Sequence, residues 1–456
     1  MLQIDDERAV GRAARQAAPR RTLADWTPPP DRPDPVAVLR EQDERREAGL
    51  VPIRHGRMDA GPFAFYRGGA AIMAADLAGV PTSGLTAQLC GDAHLSNFGV
   101  YASPDRRLVF DINDFDETCL GPWEWDLARL AASFEIAGRH RGLPAGQRAD
   151  AVRAVATTYR DAMAGFAQIG LLDTWYARLE ADDIAALAHD RSTTVGRRVE
   201  QALGKARSRT SLHALRKLTE TVDGRLRFRW DPPLLVPLAS VVGDRADEVA
   251  EGVRRTYVDY LGTLPDSRRT LLERYRPVDV AHKVVGVGSV GLRAFVMLLE
   301  GRHDHDALLL QAKEASASVL EQHLSPSLYT HGGQRVVEGQ LSIQSASDIF
   351  LGWSSSLDGE RHYYWRQLRD MKGGADVDTM RARGLQTFAR LCGWTLARSH
   401  ARTGSPVAIA AYLGKGDSFG RALAEFATRY ADQNERDFER HRAAIHDGEL
   451  EARRDV

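Results

Sequence analysis

Apolar residues recur at helical spacing over long stretches of this chain and give way, between them, to short blocks of extended character. "DLARLAASFEIAGRHRG", beginning at Asp126, and "ADAVRAVATTYRDAMAGFA", ending at Ala167, each place an apolar stripe on one helical face. Helical spacing continues to about Arg216, and "GRLRFRWDPPLLVPL" then breaks into extended chain at its prolines. Residues 280–315 change character: "HKVVGVGSVGLRAFVMLLEGRHDHDALLLQAKEA" reads as strand, glycine loop, strand, polar turn, strand. A helix is predicted over 333–346, and a hairpin between "DIFLGW" and "RHYYWRQL" about the "LDGE" turn. Residues 376–446 return to helix. At the other end, residues 1–45 are polar, with "TPPPDRPDP" as a stiff spacer before a short helix, "VAVLREQDERREAGL". Residues 46–126 read as rich in strands and loops.

Within that last region "LCGDAHLSNFGV" places Asp92, His94 and Asn97 within six positions. "GLTAQL" before it resembles a strand ending, and "VYASPDRRLVF" after it reads as strand, turn and strand. A rigid scaffold of this kind can hold a polar loop open to a ligand. Downstream, "VFDINDFDETCLGPWEWDLARL" supplies Asp111, Asp114, Asp116 and Asp126. Phosphoryl transfer needs a carboxylate to orient the acceptor, oxygen ligands for Mg²⁺ and a cation on the phosphates. A loop Asp with an Asn five positions on, and an Asp after the next hairpin, supply the first two.

"GDAHLSN" followed by "NDFDETCLGPWEWDLARL" resembles the catalytic segment of aminoglycoside and choline kinases, within the protein-kinase-like superfamily. That family carries Gly-Asp-x-His-x-x-Asn, then Ile-Asp-Trp/Phe-Glu/Asp, then Gly-Asp-Pro-x-x-Asp-Leu-Ala. The resemblance implies that Asp92 is the catalytic base, that Asn97 and Asp114 bind Mg²⁺, and that Asp126 braces the loop. His94 stands at the family's loop histidine. Cys90 departs from the pattern, since the family has a histidine two positions before the catalytic Asp.

In ordinary kinases the nucleotide lobe precedes the catalytic loop; here it reads as following. "GVGSVG" is a GxGxxG between two strands, with Gly286, Gly288, Ser289 and Gly291. "LLLQAKEA" then puts Lys313 on the third strand, like the family's Val-Ala-Ile-Lys. By the resemblance Lys313 pairs with a glutamate of the next helix, Glu338 being favoured over Glu321. "GWTLARSHARTG", residues 393–404, resembles the helix that in aminoglycoside kinases ends just before the catalytic strand. The implied fold is α+β, a two-lobed protein-kinase-like fold in circularly permuted order with a helical N-terminal extension. Its expected parts are the extension at 1–45, the catalytic and metal loops with a helical lobe at 46–275, a β-rich nucleotide lobe at 276–370, completing helices at 371–446 and a tail at 447–456. The chain also resembles an uncharacterised bacterial family, domain of unknown function 2252, which carries "PFAFYRG", "GDAHLSNFG" and "VVGVGSVG" in this order.

Other signals are weaker. A dinucleotide site wants a helix opening at the third glycine, and a strand-like segment follows here; a plain structural hairpin and an edge lysine remain the bland alternatives. No nucleophile elbow or Walker loop occurs. His303, Asp304, His305 and Asp306 read as a solvated turn. Asp111 and Asp116 could assist a second ion, structural hydrogen bonding being the simpler reading. Arg54, Arg57 and Arg67 suit either phosphate recognition or interdomain salt bridges.

Composition narrows the setting. The net charge of −1 offers no basic field for nucleic acid. Three scattered cysteines form neither a disulfide framework nor a zinc site. No stretch reads as a membrane span, residues 284–299 being short and interrupted by Arg293. The expectation is a cytoplasmic phosphotransferase using ATP and Mg²⁺ on a hydroxyl or amine of a small-molecule acceptor, without nucleic-acid or membrane partners. The alternatives are a nucleotide-binding pseudokinase, or transfer of AMP or phosphate to a protein.

Overall fold

Strand Ala307–Glu314, which carries Lys313, runs through the middle of a six-stranded antiparallel sheet ordered Gly352–Ser355, His362–Gln367, Ala307–Glu314, Ala294–Glu300, Arg276–Lys283, Leu235–Pro237. The structure, a computed structural model, describes residues 4–454 apart from 192, 210, 241–245, 285, 289, 304–305, 369–370 and 375. Leu308, Leu310 and Ala312 point to one face, against Tyr257, Tyr260 and Leu272. On the opposite face Leu309 packs with Leu215 and Phe228. Two and four residues on, this face turns polar at Gln311 and Lys313, both buried. Because side chains alternate along a strand, that single change opens a polar site beneath the sheet. The strand Leu235–Pro237 and the helices Ala246–Gly262 and Asp266–Leu272 join the sheet, ahead of the boundary at 275 expected from sequence.

Helix Trp123–His140 anchors the larger core and is buried continuously from Trp123 to Gly138. Buried charge is tolerated only when paired or hydrogen-bonded. Glu135 accordingly accepts from Arg139 at 2.9 Å and Arg148 at 2.8 Å. Helices Ala145–Phe166, Ala382–Ala401 and Ser418–His446 pack around it. The N-terminal extension is tied in by Arg32, whose guanidinium bridges Asp76 at 2.5 Å and Asp437 at 2.6 Å.

Residues 46–126 depart from the expected strand-and-loop character. Helices Val51–Met58, Pro62–Gly68 and Ala70–Ala78 occupy the first third. Apolar blocks this short do not separate helix from strand by periodicity, and the prolines at Pro52 and Pro62 are helix starters rather than breakers. The hairpin Phe98–Ala102 with Leu108–Ile112 lies where the sequence indicates. The architecture is mixed α+β with several antiparallel sheets. Among the described residues no helix is long and apolar enough to cross a membrane.

Candidate active site

The loop after strand Thr86–Leu89 is held from behind. Asp126, in the first turn of its helix, accepts the amides of Cys90 at 2.8 Å and Gly91 at 3.0 Å. Its Oδ2 lies 3.3 Å from His400 Nε2, whose Nδ1 is 2.8 Å from Tyr159 Oη. Gly91 has φ +86°, and a Cβ there would lie 2.0 Å from the Glu117 carbonyl oxygen, so glycine is required. Asn97 donates through Nδ2 to the Asp92 carbonyl at 2.8 Å, and its own carbonyl accepts from Asn113 N at 2.8 Å. One backbone frame thus fixes Asp92, Asn97 and the residue before Asp114.

The Asp92 carboxylate is ion-paired. Arg129 approaches Oδ1 with Nε at 2.9 Å and Nη2 at 2.8 Å. Arg129 is buried, donates to the Tyr66 carbonyl at 2.8 Å and lies over the Tyr66 ring at 4.0 Å. His94 Nε2 is 3.6 Å from Asp92 Oδ2. Burial pushes the His94 imidazole down to about 4, so it is neutral near pH 7, and its Nδ1 is buried without a partner. The sequence reading missed Arg129. It lies three positions after Asp126, on the helix face that meets the loop, and that spacing was the available signal.

Asp114 opens onto a cavity of about 420 Å³. Lys283, Lys313, Arg366 and Lys372 line it together with Asn113 and Gln311. Burial disfavours the charged Lys313 ammonium, but Asp114 and Asp116 outweigh it and hold its pKa above the usual lysine range. Burial likewise pushes the Asp114 carboxyl up, yet Lys313, Arg366 and Lys372 hold it below the usual carboxylate range. Arg366 donates to Gln311 Oε1 at 3.2 Å and to the Asn113 carbonyl at 3.4 Å. It is the direct cross-strand partner of Gln311. The sequence reading missed this arginine as well; a polar pair at i and i+2 in an apolar strand marked the face but not what crosses to it.

Lys313 forms its ion pair with Asp116, which also accepts from Tyr364 Oη at 2.9 Å. This corrects the expectation of a glutamate partner. Glu338, on helix Gly332–Ile343, makes no ion pair with Lys313 among the described residues, and Glu321 is used in a capping box with Ser318. The helix reaches this region instead through Arg335, which donates to the carbonyls of Thr118 and Asp116, each at 2.6 Å. Asp111 is structural: Oδ1 pairs with buried Arg398 at 2.5 Å and Oδ2 accepts from Ser345 N and Oγ.

Of the glycine loop, Gly286 lines the cavity with Lys283. Gly288 and Gly291 face the N-terminal segment, a Cβ at Gly288 falling 3.4 Å from the Arg67 carbonyl oxygen and one at Gly291 meeting Arg46. Ser289 lies outside the described residues, as do Asp304 and His305. Arg57 donates to the Gly286 carbonyl at 2.5 Å, and Arg54 is buried on Asp43 and Gln42. The N-terminal helices therefore cradle the loop.

With this geometry in place the comparisons decide the family. A family model described as "Uncharacterized protein conserved in bacteria (DUF2252)" matches residues 46–444. The chain belongs to this family. The match starts at the segment that cradles the glycine loop and spans every site residue named above. No curated protein and no solved structure matches the chain.

Proposed function

We propose that this DUF2252 member is a Mg²⁺-dependent phosphotransferase that moves a phosphoryl group from ATP to a hydroxyl or amine of a small molecule. The observation that carries the reading is that Asp114 lines a 420 Å³ cavity whose walls bear Lys283, Lys313, Arg366 and Lys372, while Asn113 beside it is hydrogen-bonded to Asn97, which in turn holds the Asp92 carbonyl. Such a volume suits a small ligand, and five basic residues, Arg106 with the four above, against Asp114 and Asp348 suit a polyphosphate.

The donor set fits magnesium. Asn97 spends its NH₂ on the Asp92 carbonyl, which leaves Oδ1 for a cation, and Asp114 is kept ionised by its basic neighbours. One side-chain amide and one carboxylate, completed by phosphate and water, is how Mg²⁺ is commonly held. Bound there, the ion would neutralise phosphate charge. Lys313 and Arg366 hold the nucleotide phosphates, and Asp92 orients the acceptor and takes its proton at Oδ2, the oxygen outside the Arg129 pair.

A kinase-like fold in permuted order is part of the same reading. Thr403 Oγ1, just past helix Ala382–Ala401, accepts from Gln88 N at 3.0 Å, and a Cβ at Gly404 would fall 2.9 Å from the Thr86 carbonyl oxygen. The end of that helix thus abuts the strand leading to Asp92, the juncture an unpermuted chain would make by direct connection. A cytoplasmic site, where ATP is supplied, accords with three buried free cysteines.

One observation favours a second reading. Arg129 ties Oδ1 of Asp92 into an ion pair, which suits a module that holds nucleotide without turning it over, or one that transfers AMP or phosphate to a protein. Thermal unfolding with ATP, with and without Mg²⁺, tests the shared premise on wild type and Asp114→Asn. Ligand at a hundred times its Kd stabilises by about 2.7 kcal/mol. A shift that needs Mg²⁺ and disappears in the variant is expected; silence with every nucleotide sinks both readings. Product mass then separates added phosphate from added nucleotide.

A further inference from the structure

Arg67 follows Tyr66 on helix Pro62–Gly68. Tyr66 is locked to Arg129 by its carbonyl, its ring and its hydroxyl, which donates to the Arg129 carbonyl at 2.7 Å. Arg129 in turn holds Asp92. The backbone of Arg67 is thereby pinned between this assembly and Gly288. Its guanidinium is charged, yet Nε is buried without a partner and the side chain makes no hydrogen bond or salt bridge among the described residues. Burial holds its pKa below the usual arginine range, with the charges of Asp92 and Asp378 acting against that.

Arg67 also stands apart from the cations of the cavity. Lys283, Lys313, Arg366 and Lys372 line the cavity, and Arg67 does not. Its own surroundings lead outward: Asp378 is largely exposed and pairs with His140 Nε2 at 2.8 Å, and His140 lies against Phe63. His94, with Nδ1 buried and unpartnered, flanks the same carboxylate. The residue is half-buried, with Nε shielded and unpartnered and no carboxylate paired to the guanidinium among the described residues, so its donors are left for an anionic ligand.

We propose that Arg67 binds an anionic group of the acceptor, a carboxylate or a phosphate, and so selects acidic hydroxyl or amine compounds over neutral and cationic ones. The proposal rests on the phosphotransfer reading for what the bound molecule undergoes. Arg67 would be a binding residue that presents the acceptor to Asp92.

The test is calorimetric titration of the full chain with inorganic phosphate and, separately, succinate, with MgADP present to fill the nucleotide cavity. At least one anion should bind wild type, bind Arg67→Gln about ten- to a hundredfold more weakly, and recover in part with Arg67→Lys. The stronger of the two tells phosphate from carboxylate. Arg67→Gln should fold, since no hydrogen bond is lost, and circular dichroism with the MgADP isotherm checks this. Equal anion binding by wild type and Arg67→Gln overturns the proposal, as does no binding of either anion to wild type. So does a loss of MgADP affinity as large as the loss of anion affinity, which would put Arg67 on the nucleotide. If MgADP fails to bind wild type while Arg67-dependent anion binding persists, the phosphotransfer reading falls and the anion site stands.

Discussion

Arg129 reaches Oδ1 of Asp92 with both Nε, at 2.9 Å, and Nη2, at 2.8 Å, and leaves Oδ2 facing His94 at 3.6 Å. The carboxylate that the loop after strand Thr86–Leu89 presents is therefore one half of a partly buried ion pair. Its two oxygens differ: Oδ1 ties the loop to the helix behind it, and Oδ2 lies outside that pair, the oxygen to which the proposed function gives the acceptor.

The pair predicts non-additive energetics. Removing one member leaves the other charged and poorly solvated, so Asp92→Asn and Arg129→Gln should each cost about 1–3 kcal/mol. The double variant should cost less than their sum by at least about 1 kcal/mol. Urea denaturation of the four proteins measures this, and strict additivity would mean that the ion pair contributes nothing. Asp92→Asn should also keep the Mg²⁺-dependent nucleotide shift while losing turnover.

The partner of Lys313 gives a second contrast. Lys313→Ala should abolish the nucleotide shift, and Asp116→Asn should reduce it, because Asp116 and Tyr364 hold the ammonium in place. Glu338→Gln should leave the shift intact and change stability by less than about 0.5 kcal/mol. A large effect of Glu338→Gln on nucleotide binding would restore the pairing expected from sequence and contradict the geometry.

What was legible follows from locality. Asp92, Asn97 and Asp114 could be grouped from sequence because a tight loop and one hairpin leave few ways to arrange them. Asp126 was legible for a similar reason, at the opening of the next strongly periodic helix. Arg129 and Arg366 reach the site from a helix interior and a neighbouring strand, and nothing local distinguishes them from surface arginines; Arg67 stood out with Arg54 and Arg57, but the sequence left open which of the three is paired. Glu338 failed because a helix can be predicted without its rotation: the turn that faces Asp116 presents Arg335 instead. The helices at 51–78 were missed because their apolar blocks are too short to show a period.

Gly91 supports a third prediction. An L-residue at φ +86° is strained by about 1–2 kcal/mol, and the added methyl would meet the Glu117 carbonyl oxygen at 2.0 Å. That oxygen cannot yield easily, since it accepts from Ser318 Oγ at 2.8 Å. Gly91→Ala should thus cost at least about 3 kcal/mol and displace Asp92. Gly142 is the control, with φ +64° and open space where its Cβ would go; Gly142→Ala should cost only about 1 kcal/mol. Equal losses at the two positions would show that contact with Glu117 is not what demands glycine.

Glu124 makes stability depend on pH. It is buried at the start of helix Trp123–His140, Oε1 accepts from Ser83 N at 2.7 Å, and Oε2 has no partner. Burial pushes its carboxyl up from the ordinary 4.5 to about 7. The folded state therefore favours the protonated form, and its stability falls as pH rises. The penalty is absent below about pH 4.5, grows through the interval, and is complete above pH 7. Its size is about 3 kcal/mol, at 1.36 kcal/mol per unit. Glu124→Gln keeps the shape and cannot ionise, so it should be more stable than wild type at pH 8 and the advantage should vanish by pH 4. Urea midpoints at the two pH values measure it, and an advantage of the same size at both would mean that the gain comes from packing and not from the charge.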